Sequence, residues 1–335
     1  MSKNAILLYM KKTIKTAINS YISEHNLIPT GSNIILGLSG GPDSVFLLHY
    51  LADLQTQGVC SVIAAHLDHE WRPESYKDVQ FCSMLTKQLE VPFVSAKLSE
   101  LSLSVKYNGS QEEIGRKARR SFLEKVRTDY NGDFIALAHH ADDQQETFFI
   151  RLIRGASLAG LTAMKPKQGA YIRPLLNISK ADILAYLHEH TIPYLIDPSN
   201  NSDNYLRNRI RNHVLPGLKE SDARFDHNFK RTLQQLQHAE QFMAAHALKT
   251  FESISTRNEH NHYQININQF LELDPILQHR IFVHWFCQMK IPFIPSQAFF
   301  DEIIRFLQQS ENGKHQIHPT WKIIKKAGKL GILIN

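Results

Sequence analysis

Apolar residues along this chain fall into short runs set between longer stretches of helical spacing. Ile34–Leu36, the middle of Ser61–His69, Val91–Val94 and Phe134–Ala138 are compact apolar runs bounded by polar or turn-forming residues, as expected for strands buried on both faces. Between them, Val45, Phe46, Leu47, Leu48 and Leu51 supply an apolar helical face, and helices are expected from about Pro73 to Leu89 and from Glu112 to Asp129. A leading amphipathic helix is expected over Met1–Asn26, with Ile6, Leu7, Met10, Ile14, Ile18 and Tyr21 on one face. A strand at Tyr171–Leu176 precedes a helix that Ser179 caps, with Asp182 at the capping-box position. This alternation predicts an α/β fold, a doubly wound, mostly parallel sheet.

The pattern changes near Pro216–Asp226, which reads as a domain boundary. Beyond it helices are expected at Phe229–Phe251, Ile276–Met289 and Ser296–Gln309, with a strand at Tyr263–Ile267 and a closing hairpin around Ala327 and Gly328. The expected organisation is a catalytic domain over 1–218, a smaller mainly helical domain over 219–311 and a hairpin extension over 312–335.

Composition narrows the class. A chain of 335 residues with 43% hydrophobic and 21% charged residues has room for two or three domains and the balance of a soluble globular protein. Lys plus Arg exceed Asp plus Glu by 38 to 32, which hints at a polyanionic partner. No apolar run is long enough to span a membrane, and Ala5–Met10 is too short for a signal-peptide core. Cys60, Cys82 and Cys287 form no CxxC pair, which favours a reducing, cytoplasmic setting over a zinc or iron–sulfur site.

The first candidate chemistry follows the first strand. Ser39, Gly40 and Gly41 lead into Pro42, a residue suited to the first turn of a helix. Two glycines let backbone approach a ligand closely, and a helix N-terminus offers free N–H groups and a positive dipole end to an anion. Ser39 and Ser44 add hydroxyls. The segment lacks the Gly-Lys-Ser/Thr of a Walker A loop and has Asp43 instead. A carboxylate beside phosphates calls for a cation between them, so Mg²⁺ at Asp43 is expected.

Polar clusters close two later strands: His66, Asp68 and His69, then His139, His140, Asp142 and Asp143. Zinc is the rival reading of such clusters. In the helix that follows, Asp143, Glu146, Ile150 and Arg154 share a face. Asp143 and Glu146 read as a pocket for a metal or for a substrate amine, although the helix dipole alone also favours acids in a first turn. Asp197, Pro198, Asn200 and Asn201 read as a turn-rich loop before a short helix carrying Arg207, Arg209 and Arg211. With Lys219, Arg224, Lys230 and Arg231 these form a basic stretch suited to phosphates, or a solvated basic helix.

SGGPDS resembles the SGGxDS loop of the PP-loop ATP pyrophosphatases of the N type. Taken with AAHLDHEWRPES, SQEEIGRKARRSF, ALAHHADDQQETFFIRLIRGASLAGL and RPLL…DPSNNSDNYLRNRIR, in that order over roughly Ile34–Leu218, it resembles the tRNA(Ile)-lysidine synthetase family. That resemblance implies an adenine nucleotide α-hydrolase-like fold, ATP and Mg²⁺ as cofactors, free L-lysine and the CAU-anticodon isoleucine tRNA as partners, and tRNA binding as the role of the mainly helical domain over 219–311. ATP would adenylate O2 of the wobble cytidine, and the ε-amine of lysine would then displace AMP at C2, giving lysidine and shifting decoding from AUG to AUA. By the same resemblance Ser39, Gly40, Gly41, Pro42, Asp43, Ser44 and His66 bind ATP. His139, Asp143, Glu146 and either Arg116 or Arg119 lie at the reaction centre, and Asp143, Glu146, Arg207 and Arg211 meet lysine or tRNA. The lysine proton has three candidate acceptors, His139, Asp143 and Glu146. A homodimer is left open.

Two departures stand out. Trp71 occupies a position where a smaller aliphatic residue is usual, and the chain reads as a short form without a third domain. The rival readings are a cytidine thiolase, which commonly uses paired cysteines absent here, and a nucleotide- or RNA-binding regulatory module, which predicts ATP binding without tRNA-dependent diphosphate release. An amidotransferase-type synthetase is weaker, because no glutaminase nucleophile motif accompanies the chain.

Overall fold

The computed structural model describes residues 3–101, 111–196, 205–259, 261–291, 295–309 and 312–334. The loop expected at Asp197–Asn201 lies outside these residues, as do the side chains of Ile6, Leu7 and Met10. Two compact units divide the chain, Met1–Arg231 and Thr232–Asn335.

In the first unit, β1 (Ser32–Gly37), β2 (Cys60–Asp68), β3 (Phe93–Lys97), β4 (Phe134–Ala136), β5 (Lys167–Gln168) and β6 (Tyr171–Ile172) form one sheet in the order β3-β2-β1-β4-β6-β5. All pairings are parallel except β5 with β6. The apolar run of β1 feeds both faces, because alternate side chains of a strand point to opposite sides. Ile34 and Leu36 enter one core with residues from α1 (Lys3–Glu24), α2 (Pro42–Thr56), α3 (Tyr76–Gln88) and α7 (Lys180–Glu189). Ile35 enters another, with Ala118, Phe122, Leu123 and Val126 of α4 (Gln111–Asp129). In α1, Ile18 is fully buried and Ile14 and Tyr21 pack against the first of these cores.

Two strands stop earlier than their apolar runs. Tyr171–Leu176 is a strand only to Ile172, since Pro174 has no N–H to continue a ladder. That leaves β4 only Tyr171 and Ile172 as partners on that side, and it ends at Ala136 rather than reaching His140. Gly155–Gly160, expected to be loop, contains the start of a short helix, α6 (Leu158–Leu161).

Chain order and spatial order diverge at β1, which has β2 on one side and β4 on the other. Ligands of open α/β sheets gather at such a switch point, beyond the carboxyl ends of the strands. The glycine turn after β1 and the helix after β4, α5 (Ala141–Ile153), therefore emerge side by side.

The second unit has its own core around Phe251, Phe270, Phe282, Trp285 and Ile303, with Trp285 fully buried. Helices α10 (Phe225–Ile254), which begins before this unit, α11 (Ile267–Leu271), α12 (Pro275–Gln288) and α13 (Gln297–Gln309) contribute to it. An antiparallel sheet in the order β7-β8-β11-β10-β9 completes the unit, from β7 (Ser255–Arg257), β8 (Tyr263–Asn266), β9 (Gly313–His318), β10 (Trp321–Lys326) and β11 (Lys329–Ile334). The hairpin turns at Ala327 and Gly328, both at positive φ. Strands β7 and β9 escape a reading of the sequence because they are short or largely polar. Among the described residues, no helix is long and apolar enough to cross a membrane.

Candidate active site

The glycine turn is held as a preformed cup. Gly40 has φ +79°, and a Cβ there would stand 2.7 Å from Leu195 Cδ1, so only glycine fits without displacement. Gly41 caps α2 and Pro42 follows, where a missing N–H costs the helix nothing. The Ser44 hydroxyl donates to Gly41 O at 3.0 Å and accepts from Ser39 N at 3.1 Å. These bonds brace the loop and leave the first N–H groups of α2 without intrahelical partners, the arrangement that suits an anion.

Beneath the loop, His66 is buried and its Nδ1 donates to Leu38 O at 2.9 Å, with Cys82 Sγ 3.6 Å away. Burial lowers its pKa, which keeps the ring neutral. His66 thus supports the strand end from which the loop springs. Buried Asp68 accepts from Glu70 N at 2.9 Å and shapes the turn after β2. His69 stacks on Trp71 with ring centroids 4.5 Å apart, and Arg119 lies 3.1 Å from His69 Nε2. Arg116, the alternative from the same helix, is exposed, as is Arg119.

Charged groups converge on α5. His140, its N-cap residue, sits among three aspartates: Asp143 at 3.4 Å, Asp142 at 3.5 Å and Asp43 at 3.7 Å. Burial works against a charged His140, but Asp142, Asp143 and Asp43 together outweigh it and raise its pKa. Its neighbour His139 moves the other way. Burial, joined by the charges of Arg173 and Arg207, outweighs Asp143 and lowers His139 to about 4, so it is neutral at pH 7.

Asp43 is held by a residue that the sequence reading did not single out. Lys180 Nζ, at the first position of α7, lies 2.6 Å and 2.8 Å from its two carboxylate oxygens. Lys180 N also donates to Asp142, which takes a second bond from Lys219 Nζ at 2.9 Å. Burial alone would raise the Asp142 pKa, but its bonds from His140, Lys180 and Lys219 hold it well below the usual carboxylate range. The signal for Lys180 was present in its position one residue after the Ser179 cap; what placed it against Asp43 is the crossover that returns β6 beside β4.

Asp143 and Glu146 are buried on one face of α5, as their spacing predicted. Both are already paired. Arg207 reaches Glu146 at 2.6 Å and Asp143 at 2.5 Å, and Arg211 takes Glu146 at 2.5 Å. The two arginines lie on α8 (Leu206–Arg209) and on the π-helical turn Ile210–Val214 that follows it. Such π turns concentrate at functional sites. The arginines and carboxylates expected to meet separate ligands therefore meet each other.

Mg²⁺ can be weighed against this donor set. A magnesium ion carried on ATP phosphates needs only one or two protein carboxylates. Asp43 fits that role at the mouth of the loop, on condition that Lys180 releases its oxygens.

A family model described as the PP-loop domain matches residues 10–218. The chain belongs to the PP-loop family. Among its curated relatives are tRNA(Ile)-lysidine synthase of Bacillus cereus (strain ATCC 10987 / NRS 248), 32% identical over 310 residues, and tRNA(Ile)-lysidine synthase of Bacillus subtilis (strain 168), 34% identical over 302. The two matches cover 90% and 89% of this chain but 65% and 64% of those relatives, so the chain spans just under two thirds of their length. Among solved structures, the U34-tRNA thiolase NcsA from Methanococcus maripaludis, which carries a [4Fe-4S] cluster, superposes with a TM-score of 0.58 at 19% identity, covering 68% of this chain and 80% of that one. At that identity the likeness concerns the PP-loop fold alone.

Proposed function

We propose that this PP-loop protein ligates lysine to C2 of the wobble cytidine in a CAU-anticodon isoleucine tRNA, using ATP and passing through an O2-adenylated cytidine. The observation that carries the reading is the adjacency, at one switch point, of a phosphate-binding turn and a buried acid pair suited to an amine. An enzyme that activates a base with ATP and then admits an amine needs both within one crevice.

In this reading the α2 N-terminus and the Ser39–Ser44 turn hold the ATP phosphates. Lys180 moves from Asp43 to the phosphates, and Mg²⁺, when bound at Asp43, supplies further neutralisation of their charge. Cytidine O2 attacks the α-phosphate and diphosphate leaves. Lysine then enters by exchange, its ammonium taking the place of a guanidinium at Asp143 and Glu146. An ammonium is no nucleophile, so a proton must leave before nitrogen attacks C2 and AMP departs. His139, Asp143 and Glu146 all stand as acceptors of that proton, His139 as a ring that is neutral at pH 7. Arg119 is favoured over Arg116 as the cation near the reacting base, through its contact with His69 beside the loop.

Thiolation finds less support. Cys60 and Cys82 are buried, and burial raises their thiols to about 11 and about 12, away from the thiolate state such chemistry uses.

The test is incubation with Mg-ATP, labelled lysine and the CAU isoleucine tRNA transcript, followed by mild alkali. Alkali hydrolyses an aminoacyl ester and spares lysine joined through nitrogen to C2. Stable, ATP-dependent label that disappears when the wobble cytidine is changed is the expected result. ATP binding with no stable label overturns the proposal.

A further inference from the structure

The turn that follows β2 holds a large aromatic side chain toward solvent. Trp71 is 45% exposed, whereas the other two tryptophans, Trp285 and Trp321, are buried in the second unit. The indole stacks on the His69 ring, with centroids 4.5 Å and planes 21° apart. Its outer edge lies on Gly115 of α4, where a Cβ would stand 2.5 Å from the ring. One face and one edge of the indole are thus taken, and the other face is open.

The turn is braced so that the ring stays there. Glu70 has φ +55°, its N–H donates to Asp68 at 2.9 Å, and its carboxylate accepts from Ser99 N at 2.8 Å. Arg72 pairs with Asp78 of α3 at 2.6 Å. His69 is fixed by Arg119, one helical turn beyond Gly115, which donates to its Nε2 at 3.1 Å. Burial and then the Arg119 charge lower the His69 pKa to about 4, so the ring under the indole is neutral at pH 7. An indole this exposed forgoes much of the burial that favours tryptophan in a core. Held by its neighbours, it is a shelf on which a second flat ring can stack with little further loss of freedom.

We propose that the open face of Trp71 stacks an unpaired base next to the wobble cytidine and so sets the register of that cytidine in the crevice. The inference rests on the functional reading above and deepens it by naming a side chain that positions the RNA. Unpaired RNA bases are recognised by stacking on aromatic side chains, and a nearby cation meets the phosphate that joins one base to the next. Exposed Arg119 is placed for that second contact. The layering of the fold favours an RNA base over the adenine of ATP. Helix α2, whose N-terminus is assigned to the ATP phosphates, packs on the sheet face of Ile34 and Leu36. Helix α4, on which the indole rests, packs on the opposite face with Ile35. The shelf and the phosphate turn therefore lie on different sides of the sheet, at the same carboxyl edge.

The test is a cycle between Trp71 and the bases beside the wobble cytidine, read by fluorescence anisotropy with labelled CAU isoleucine tRNA. Trp71→Leu should bind about tenfold more weakly, with ATP affinity unchanged by calorimetry, and Trp71→Phe, which keeps a flat ring, should recover most of the loss. An abasic site on one side of the wobble cytidine should weaken the wild type by a similar factor but Trp71→Leu by less than about twofold, because both changes remove one contact. A purely structural role for Trp71 gives no such dependence on the base. Tight tRNA binding by Trp71→Leu, losses that add for an abasic site on either side, or a loss in Trp71→Phe as large as in Trp71→Leu overturns the shelf while the functional reading stands. A fall in ATP affinity with tRNA affinity unchanged gives the ring to adenine and overturns it as well. A wild-type protein that binds no tRNA overturns both.

Discussion

Replacing His139 with asparagine should make the protein less sensitive to acid than the wild type. His139 has a pKa of about 4 in the fold, against 6.5 for an ordinary imidazole. Between those values the unfolded chain holds a proton that the folded chain refuses, so stability falls as pH drops through that window and is unaffected above it. The full shift corresponds to about 3.4 kcal/mol; at pH 5, where only part of it has developed, the loss relative to pH 7.5 is about 2 kcal/mol. Asparagine keeps the approximate size and polarity but cannot titrate. Urea unfolding of both proteins, at pH 7.5 and pH 5, isolates this group from every other titration they share. The expected result is a variant whose stability relative to wild type improves by about 2 kcal/mol on going to pH 5. A relative stability that stays the same at both pH values would refute the burial argument. The neighbouring residue supplies a control of opposite sign. His140 has a raised pKa among its aspartates, so its contribution is present at low pH and is lost as pH rises through the folded value. His140→Asn should therefore cost more at pH 5 than at pH 7.5.

Gly115→Ala would set a Cβ 2.5 Å from the Trp71 ring and should destabilise by about 1–3 kcal/mol in thermal or urea unfolding, with most of the loss recovered when Trp71→Leu is added. Lys180→Met removes a cation from the phosphate turn and should weaken ATP binding about tenfold or more by calorimetry; unchanged affinity would mean that Lys180 serves Asp43 alone. Glu146→Gln should slow lysine transfer at least about thirtyfold, the equivalent of about 2 kcal/mol, while tRNA-dependent diphosphate release stays near wild type; equal loss of both steps would remove its assignment to lysine.

Much of the site is legible in the linear chain because its parts are local. SGGPDS declares a turn from two glycines and a proline, and the structure bears this out in the positive φ of Gly40 and the start of α2 at Pro42. The spacing of Asp143 and Glu146 predicts a shared helix face, and both are buried there. The Ser179 cap is seen in its bond from Asp182 N. Pairings across long sequence separations were not legible. Lys180 meets Asp43 from 137 positions away, and Arg207 and Arg211 meet Glu146 from 61 and 65 away. Periodicity carries no information about such partners.

The sequence by itself determined most of the helices, the central strands, the glycine turn and the acid pair, since each depends on residues within one or two helical turns of each other. Tertiary structure decided the rest through the strand order. β1 lies between β2 and β4, so the turn and the acids share a crevice, and the short β6 brings α7 and its lysine to the same edge. Charge state also followed from position. His139 and His140 are adjacent in sequence and chemically identical, yet one is pushed down by burial and the other up by three carboxylates. Desolvation and Coulomb interactions depend on what surrounds a side chain in space, and that is set by the packing of the whole unit.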